Sequence, residues 1–316
     1  MNYPLVSVIM SNYNYEKFIN YAINSVISQT FKDFELVIVD DASTDNSHEI
    51  IEKWKYQDNR IKTIFHKKNE GIAKTFNDGI EIARGKYILI MASDDMLKPN
   101  TLETCINVLN KYQCGVTIFE AEVIDAKNQS VNIKFSQLHR KPALIYGNFF
   151  EELLKGNFIM TGMVKKEIIE NYNIKFDTRL KHLNDWLFWL DLAYVTNFYY
   201  IQQPLYYYRR HKSNASYDVE GYKKDYEIIY DIIESKYNLE KNNKYKSAFY
   251  RSKALNLYGV IKKDYKNLRR YLLKSIYADP LKLENFELII RGTLIHFPIL
   301  YKFTAKIYRF IKHSRF

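Results

Sequence analysis

Four short, largely apolar runs separated by stretches with helical spacing constrain this chain more than any other feature. They are Leu5-Val-Ser-Val-Ile-Met10, Glu35-Leu-Val-Ile-Val39, Ile61 to Phe65 and Tyr87-Ile-Leu-Ile-Met91, each too short for a buried helix. Runs apolar at successive positions belong to strands covered on both faces, which is the environment of a parallel sheet. Between them Ile19, Ala22, Ile23, Val26 and Ile27 recur at helical spacing. So do Ala73, Phe76, Ile80 and Ala83, with a stop near Arg84-Gly85, and Pro99 is expected to open another helix from its first turn. Alternation of this kind predicts an α/β fold with a doubly wound, mostly parallel sheet.

The chain has 316 residues, 47% of them hydrophobic and 16% aromatic, enough for one large or two ordinary domains. Disordered and fibrous classes are thereby excluded. Cys105 and Cys114 are too few for a disulfide framework and lack zinc-site spacing, so a reducing compartment is expected. Met1-Asn2-Tyr3-Pro4 lacks the basic start of a signal peptide. The stretch Leu288 to Ile311 is broken by Arg291, His296, Lys302, Lys306 and Arg309, so no spanning helix is expected. Of the net charge of +11, +10 lies in residues 217–316, where no nucleic-acid motif accompanies it.

In doubly wound sheets ligands bind beyond the carboxyl ends of the strands. Those ends carry Ser11-Asn12-Tyr13-Asn14, Asp40-Asp41-Ala42-Ser43 and Ala92-Ser93-Asp94-Asp95. Either acidic pair alone would also suit a helix cap. Together they gather like charges that call for a divalent cation and a hydrogen-bonding ligand. No G-x-G-x-x-G is present, and Gly79-Ile-Glu-Ile-Ala-Arg-Gly85-Lys86 precedes a strand and is one residue too long for a Walker loop. Dinucleotide dehydrogenases and P-loop kinases are therefore disfavoured.

Val6-Ser-Val-Ile-Met-Ser-Asn-Tyr-Asn14, Ser28-Gln-Thr-Phe31, Glu35-Leu-Val-Ile-Val-Asp-Asp-Ala-Ser43, Asn69-Glu-Gly71, Asn77-Asp-Gly79, Gly85-Lys-Tyr87 and Ala92-Ser-Asp-Asp95 occur in one order. This series resembles the signature of family 2 glycosyltransferases of GT-A fold. The resemblance is dense over about the first 110 residues and continues sparsely to about 216, through Asn184-Asp-Trp186 and Tyr208-Arg-Arg-His211.

The resemblance implies transfer of a sugar from a UDP-sugar donor to a glycan or lipid-linked glycan acceptor, assisted by Mn²⁺ or Mg²⁺. It implies that Asp95 binds the metal, that Asp94 holds the ribose hydroxyls next to Ser93, and that Asp41 accepts the uracil N–H. Ser11 with Tyr13 or Asn14 would line the base and ribose pocket, Lys74 would reach the phosphates, and His211 would add a metal or phosphate contact. Asp185 is the implied general base, at the start of a nearly all-apolar helix over 184–195, where an acid also suits an N-terminal cap. Two departures are present: Ala92 replaces the first carboxylate of an Asp-x-Asp-Asp motif, and Asn184 replaces the acid that precedes the base. A single displacement with Asp185 as base would invert the anomeric configuration.

Residues 1–216 are thus expected to form the catalytic domain, with a nucleotide-sugar half over about 1–115 and an acceptor half over about 116–216. Residues 217–316 are expected to form a basic helical region. Helices are expected at Tyr222 to Tyr237 and Lys244 to Gly259, and Tyr258 to Pro280 reads as a helical hairpin of tetratricopeptide type. Over 297–316, Lys302, Lys306, Arg309, Lys312 and Arg315 interleave with Phe303, Ile307, Phe310 and Ile311. That pattern fits either an interfacial helix on an anionic membrane or a helix docked on its own domain. The combined expectation is a cytoplasmic enzyme, peripheral at the inner face of the cytoplasmic membrane, working on surface polysaccharide or lipid-linked oligosaccharide. A sugar-nucleotide nucleotidyltransferase and a catalytically silent nucleotide-sugar-binding scaffold are the competing readings. The first would need a Gly-rich basic loop where Ser11-Asn-Tyr-Asn14 stands, and the second would be favoured if Ala92 and Asn184 mark decay.

Overall fold

The computed structural model describes residues 3–139, 142–156, 161–212, 214, 218–261 and 263–280, so the basic tail at 297–316 lies outside the described residues. The chain separates into two compact units, Met1–Ile229 and Tyr230–Phe316.

The first unit opens with β1 (Val6–Asn12), α1 (Ile19–Ile27), β2 (Phe34–Asp40), α2 (Ser47–Gln57), β3 (Ile61–Phe65), α3 (Ile72–Ile82) and β4 (Tyr87–Ala92). Next come the short β5 (Met96–Leu97), α4 (Thr101–Lys111), β6 (Val116–Ile124), β7 (Ser130–Lys134), α5 (Phe135–Leu138), β8 (Tyr146–Gly147) and α6 (Phe150–Leu154). It continues through β9 (Gly162–Lys165), α7 (Lys166–Asn171), α8 (Asn184–Val195) and β10 (Phe198–Arg209).

The main sheet runs β3-β2-β1-β4-β9-β6-β10-β5, with β7 on β6 and β8 on β10. The first four strands pair in parallel. Reversed β9 then joins β4 to β6, and β10 runs parallel to β6. Six strands therefore share one direction, the four apolar runs and, beyond them, β6 and β10. Every residue of β1 and β2 is buried, the condition of strands covered on both faces. Two polar side chains in these strands satisfy each other: Ser7 Oγ donates to Glu35 Oε1 at 2.6 Å, and the Arg84 and Gly85 N–H groups complete the network. A Cβ on Gly85 would lie 2.4 Å from the Ser7 nitrogen, so only glycine lets this turn close on β1.

Some expectations need correction. Pro99 is not in the first turn of α4, which begins at Thr101 with Asn100 as its N-cap. The Thr101 hydroxyl reaches back to the Lys98 carbonyl at 2.8 Å and the Pro99 carbonyl accepts from Thr30, so Pro99 serves the turn before the helix. Helix α2 carries little helical signal in the sequence, because only Ser47 and Ile51 are buried on it and its apolar face is thin.

Helix α9 (Val219–Lys236) starts in the first unit and ends in the second. The second unit adds a 3₁₀ turn at Leu239–Lys241, α10 (Asn243–Ser252), a π-helical stretch over Lys253–Ile261 and α11 (Tyr265–Ala278). Ala254, Leu268 and Leu272 form its small core with Tyr258 and Tyr271. The helical hairpin is real but displaced: its first arm is α10 with the π-helical stretch, not a helix begun at Tyr258, and Asp264 caps α11 through the Asn267 N–H.

Candidate active site

Sheet pairing places the strand ends together, with Asn12 opposite Asp40 and Ser11 opposite Ala92. Asn12 uses that position on both sides. Its Nδ2 donates to Asp40 Oδ2 at 2.7 Å, and its Oδ1 accepts from Ser93 Oγ at 2.6 Å. Ser43 returns to Asp40 with its hydroxyl and its N–H. Beyond the strands, Asn14 and Ala42 adopt φ values of 56° and 61°, which L-residues rarely hold unless the surroundings fix them. The Asn14 N–H and side-chain oxygen bind Ser43 Oγ and the Thr44 N–H, and this locks the two loops together. Ser11 is buried on β1 and its carbonyl accepts from the Ser93 N–H, whereas Tyr13 is 44% exposed at the rim.

Asp41 is buried and rigidly held. Its oxygens accept from the Glu70 and Gly71 N–H groups at 2.8 Å each, and His66 Nδ1 lies 2.7 Å away. The other imidazole nitrogen is 3.0 Å from Asp78, which also pairs with Lys74 one turn earlier on α3. Lys74 is therefore engaged by a carboxylate of its own helix.

Asp94 and Asp95 lie side by side in a buried setting. Burial first, and then the Asp94 charge, hold the Asp95 carboxyl well above the usual carboxylate range. Arg209, fully buried at the end of β10, gives Asp95 its backbone N–H at 2.7 Å and directs Nε to the Asp94 carbonyl, not to either carboxylate. Its Nη2 is buried without a hydrogen-bond partner among the described residues. His211 Nε2 is 3.1 Å from Asp94 Oδ2, and the imidazole packs against Phe18 and edge-on against Tyr15. Burial and both carboxylates raise the Tyr15 phenol. Among the described residues no group of three or more His, Cys, Asp or Glu side chains is arranged to hold a metal ion.

Asp185 sits in the first turn of α8, one residue past Asn184. It is not the cap, since Leu183 holds that position and offers no side-chain hydrogen bond. Asn184 turns back to the Leu180 and Lys181 carbonyls, so the amide in place of an acid has a structural task. The Asp185 carboxyl is pushed up to about 7, chiefly by burial and further by the Asp225 charge, against the pull of the Trp186 and its own N–H groups. Tyr222 and Tyr226 on α9 lie within electrostatic range of it. Tyr208 acts on both Tyr222 and Tyr15, so the base region and the Asp94 region share this phenol between them.

Ser11, Asn14 and Ser93 thus belong to one hydrogen-bonded assembly, Asp94, Asp95 and His211 to a second, and Asp41 and Lys74 to a third linked through His66 and Asp78. Asp185 stands apart on its helix. The sequence alone assigns no role to Asn12, Tyr15, His66, Arg209 or Asp225. The rule that singles out strand ends also reaches His66, which directly follows β3.

The family model described as Glycosyl transferase family 2 matches residues 7–171, just over half of the chain. EpsH of Bacillus subtilis (strain 168) is 30% identical over 233 residues, 71% of this chain and 65% of its own length. TuaG of the same organism, whose name assigns it to teichuronic acid biosynthesis, is 30% identical over 164 residues, 52% of this chain and 63% of its own length. The chain thus spans slightly less than two thirds of either relative. The crystal structure of S. aureus TarS 1-349 in complex with UDP-GlcNAc superimposes with a TM-score of 0.67 at 19% identity, over 96% of this chain and 91% of that one. The sheet order, the acids at its strand ends and the match over residues 7–171 agree, and the chain belongs to glycosyl transferase family 2 and has the GT-A fold.

Proposed function

We propose that the protein transfers a sugar from a UDP-sugar to an acceptor hydroxyl with inversion, Asp185 being the general base. The observation that carries this reading is the Asp185 carboxyl itself, held near neutrality at a helix start and bordered by Tyr222 and Tyr226. A base works best with a pKa near the operating pH, where it is both ionised and basic enough to take a proton. Asp41 suits the uracil N–H: a carboxylate has about four acceptor sites, three donors occupy it, and one direction is left for a ring N–H. Asp94 suits the ribose hydroxyls, with Ser11, Ser93 and either Tyr13 or Asn14 shaping the pocket around them.

A divalent cation fits the Asp94 and Asp95 pair. Two adjacent buried carboxylates, one pushed toward its protonated form by burial and by its neighbour's charge, have among the described residues no direct guanidinium or ammonium hydrogen bond, the Arg209 charge acting only from beside them. Asp95 would hold the ion with help from His211. With so few protein ligands the remaining positions fall to donor oxygens and water, as Mg²⁺ tolerates, and Mn²⁺ fits the same oxygen ligands. Bound there, Mn²⁺ or Mg²⁺ would neutralise charge on the diphosphate leaving group. Asp185 would take the acceptor proton while the buried Arg209 keeps Asp95 oriented through its N–H.

The acceptor is proposed to be a surface polysaccharide or lipid-linked glycan; the name of TuaG assigns that relative to teichuronic acid biosynthesis. Contact with an anionic membrane through 297–316 is proposed from the basic, acid-free sequence there. Among the described residues no helix is long and apolar enough to cross a membrane.

The test is UDP release from UDP-sugars with and without Mn²⁺, together with proton NMR of the transferred anomeric centre. Inverted product that disappears in Asp185→Asn is the expected result. A retained configuration, or unchanged transfer by that variant, would overturn the reading.

A further inference from the structure

The segment that delivers Asp185 is gripped from a distance. Asp225, on α9 and 3% exposed, accepts three backbone N–H groups just ahead of α8: Lys181 at 3.1 Å on Oδ1, and His182 at 2.5 Å and Leu183 at 2.8 Å on Oδ2. Amides at a helix start have no partner inside the helix and are usually met by a Ser, Thr, Asp or Asn nearby in sequence. Leu183 offers no such side chain, and the Trp186 N–H is met by Asp185 itself; Asp225, more than forty residues away, instead receives the three amides that lead into the helix.

Neighbouring contacts reinforce the grip. Asp218 accepts from Lys181 Nζ at 2.8 Å and from the Gly221 N–H, and lies 2.9 Å from His182 Nε2. The His182 ring stacks on Tyr222 with centroids 4.6 Å apart and planes 12° apart. A Cβ on Gly221 would come within 2.3 Å of His182 Nε2, so α9 approaches this segment as closely as a glycine permits.

Resting on the reading of Asp185 as base, we propose that Asp225 is a positioning residue for it, holding the 181–183 segment so that Asp185 keeps its place at the head of α8. The groups facing Asp185 from α9 are Asp225, Tyr222 and Tyr226, and from its own helix the N–H groups of the first turn. Lys181, His182 and Asp218 lie around the Asp225 side of the segment. Asp225 is the carboxylate among the groups facing Asp185, and its charge opposes ionisation of the base.

Two substitutions separate its effects. Asp225→Ala removes both acceptor oxygens and the charge, while Asp225→Asn removes the charge and keeps one acceptor oxygen, the other becoming an amide donor. The assay is UDP release from UDP-N-acetylglucosamine, UDP-glucose and UDP-galactose, with kcat, donor KM, UDP affinity by calorimetry and the pH profile of kcat. Asp225→Ala should lower kcat between about ten- and a hundredfold, the range expected for misplacing a reacting group, with donor KM and UDP affinity near wild type. Asp225→Asn should recover part of that loss and move the acid limb of the profile to lower pH, because the like charge beside Asp185 is gone.

Wild-type kcat and an unmoved acid limb in both variants would overturn the proposal. So would a fall in kcat that only follows a loss of folded protein, with the limb unmoved. If Asp225→Ala does not fold, Asp225→Asn decides by the position of its limb. If Asp185→Asn itself keeps wild-type turnover, the base assignment has failed and the positioning role falls with it, a result distinct from failure of the Asp225 variants alone.

Discussion

The acids proposed to hold the donor and the acid proposed as the base are held by different means. Asp40 and Asp41 at the end of β2, and Asp94 and Asp95 just beyond β4, follow parallel strands that flank β1, and Asn12 and Ser93 tie the two ends together. Their spacing is inherited from the ladder of the sheet. Asp185 has no strand behind it; it rides on a helix start that α9 clamps through Asp225. The sheet edge is therefore suited to a fixed nucleotide, whereas the clamped helix sets a carboxyl whose ionisation responds to what faces it. Damage on the donor side should appear in binding, and damage on the base side in turnover and its pH dependence.

The largest effect expected from this contrast is on turnover. Asp185→Asn should lower kcat by about two orders of magnitude or more while UDP binds as in wild type. In the wild type, kcat should fall as pH drops below about 7, because the protonated carboxyl cannot accept the acceptor's proton. The stability effect has the opposite sense. A carboxyl whose folded pKa is raised stabilises the fold at low pH and loses that contribution as pH rises through about 7. Asp185→Asn should accordingly melt above wild type at pH 8, with the gap closing toward pH 5. A variant that melts lower at pH 8 would show that the carboxylate is well solvated there.

Donor binding is the next test. Asp95→Asn should abolish the part of UDP affinity that depends on Mn²⁺, and Asp41→Ala should weaken UDP with or without Mn²⁺. Calorimetric titrations of both variants give the answer, and equal metal dependence in the two would remove their separate assignments.

Much of the proposed donor side is legible because strand-end position and residue type coincide there: Ser11, Asp41, Ser93, Asp94 and Asp95 are all marked by the apolar runs before them. The base side was legible only in part. Asp185 was found through its resemblance to a family motif. Asp225 was not found, since an acid inside an amphipathic helix carries no sign that it receives the amides of Lys181, His182 and Leu183. Arg209 stood in a noted motif beside His211, yet nothing local shows that its N–H orients Asp95 across more than a hundred residues. The reversed strand β9 was equally hidden, because four residues are too few for periodicity to register.

A middle-sized effect should appear on stability. Asn12→Ala leaves Ser93 Oγ and one Asp40 oxygen with fewer partners in a buried site, at a cost of about 1–3 kcal/mol. For a fold of this size that corresponds to a drop of about 2–4 °C in Tm per kcal/mol. Thermal melts check it, and an unchanged Tm would mean that water replaces the amide without penalty.

The smallest effect concerns Lys74, where the resemblance suggested a phosphate contact and the structure supplies a competing partner. Its ammonium is 44% exposed and pairs with Asp78 on the same helix. An exposed pair at this spacing contributes about 0.3–0.5 kcal/mol to stability, so Lys74→Ala should barely move Tm. Affinity measurements for uridine, UMP and UDP then separate the two roles. If Asp78 keeps the ammonium, the variant should weaken all three ligands equally and slightly, through the Asp78 and His66 connection to Asp41. A loss that grows from uridine to UMP to UDP would instead show that Lys74 leaves Asp78 for the diphosphate. The donor side would then contain a mobile cation among otherwise fixed acids, and the contrast between a rigid donor edge and an adjustable base would need to be redrawn at α3.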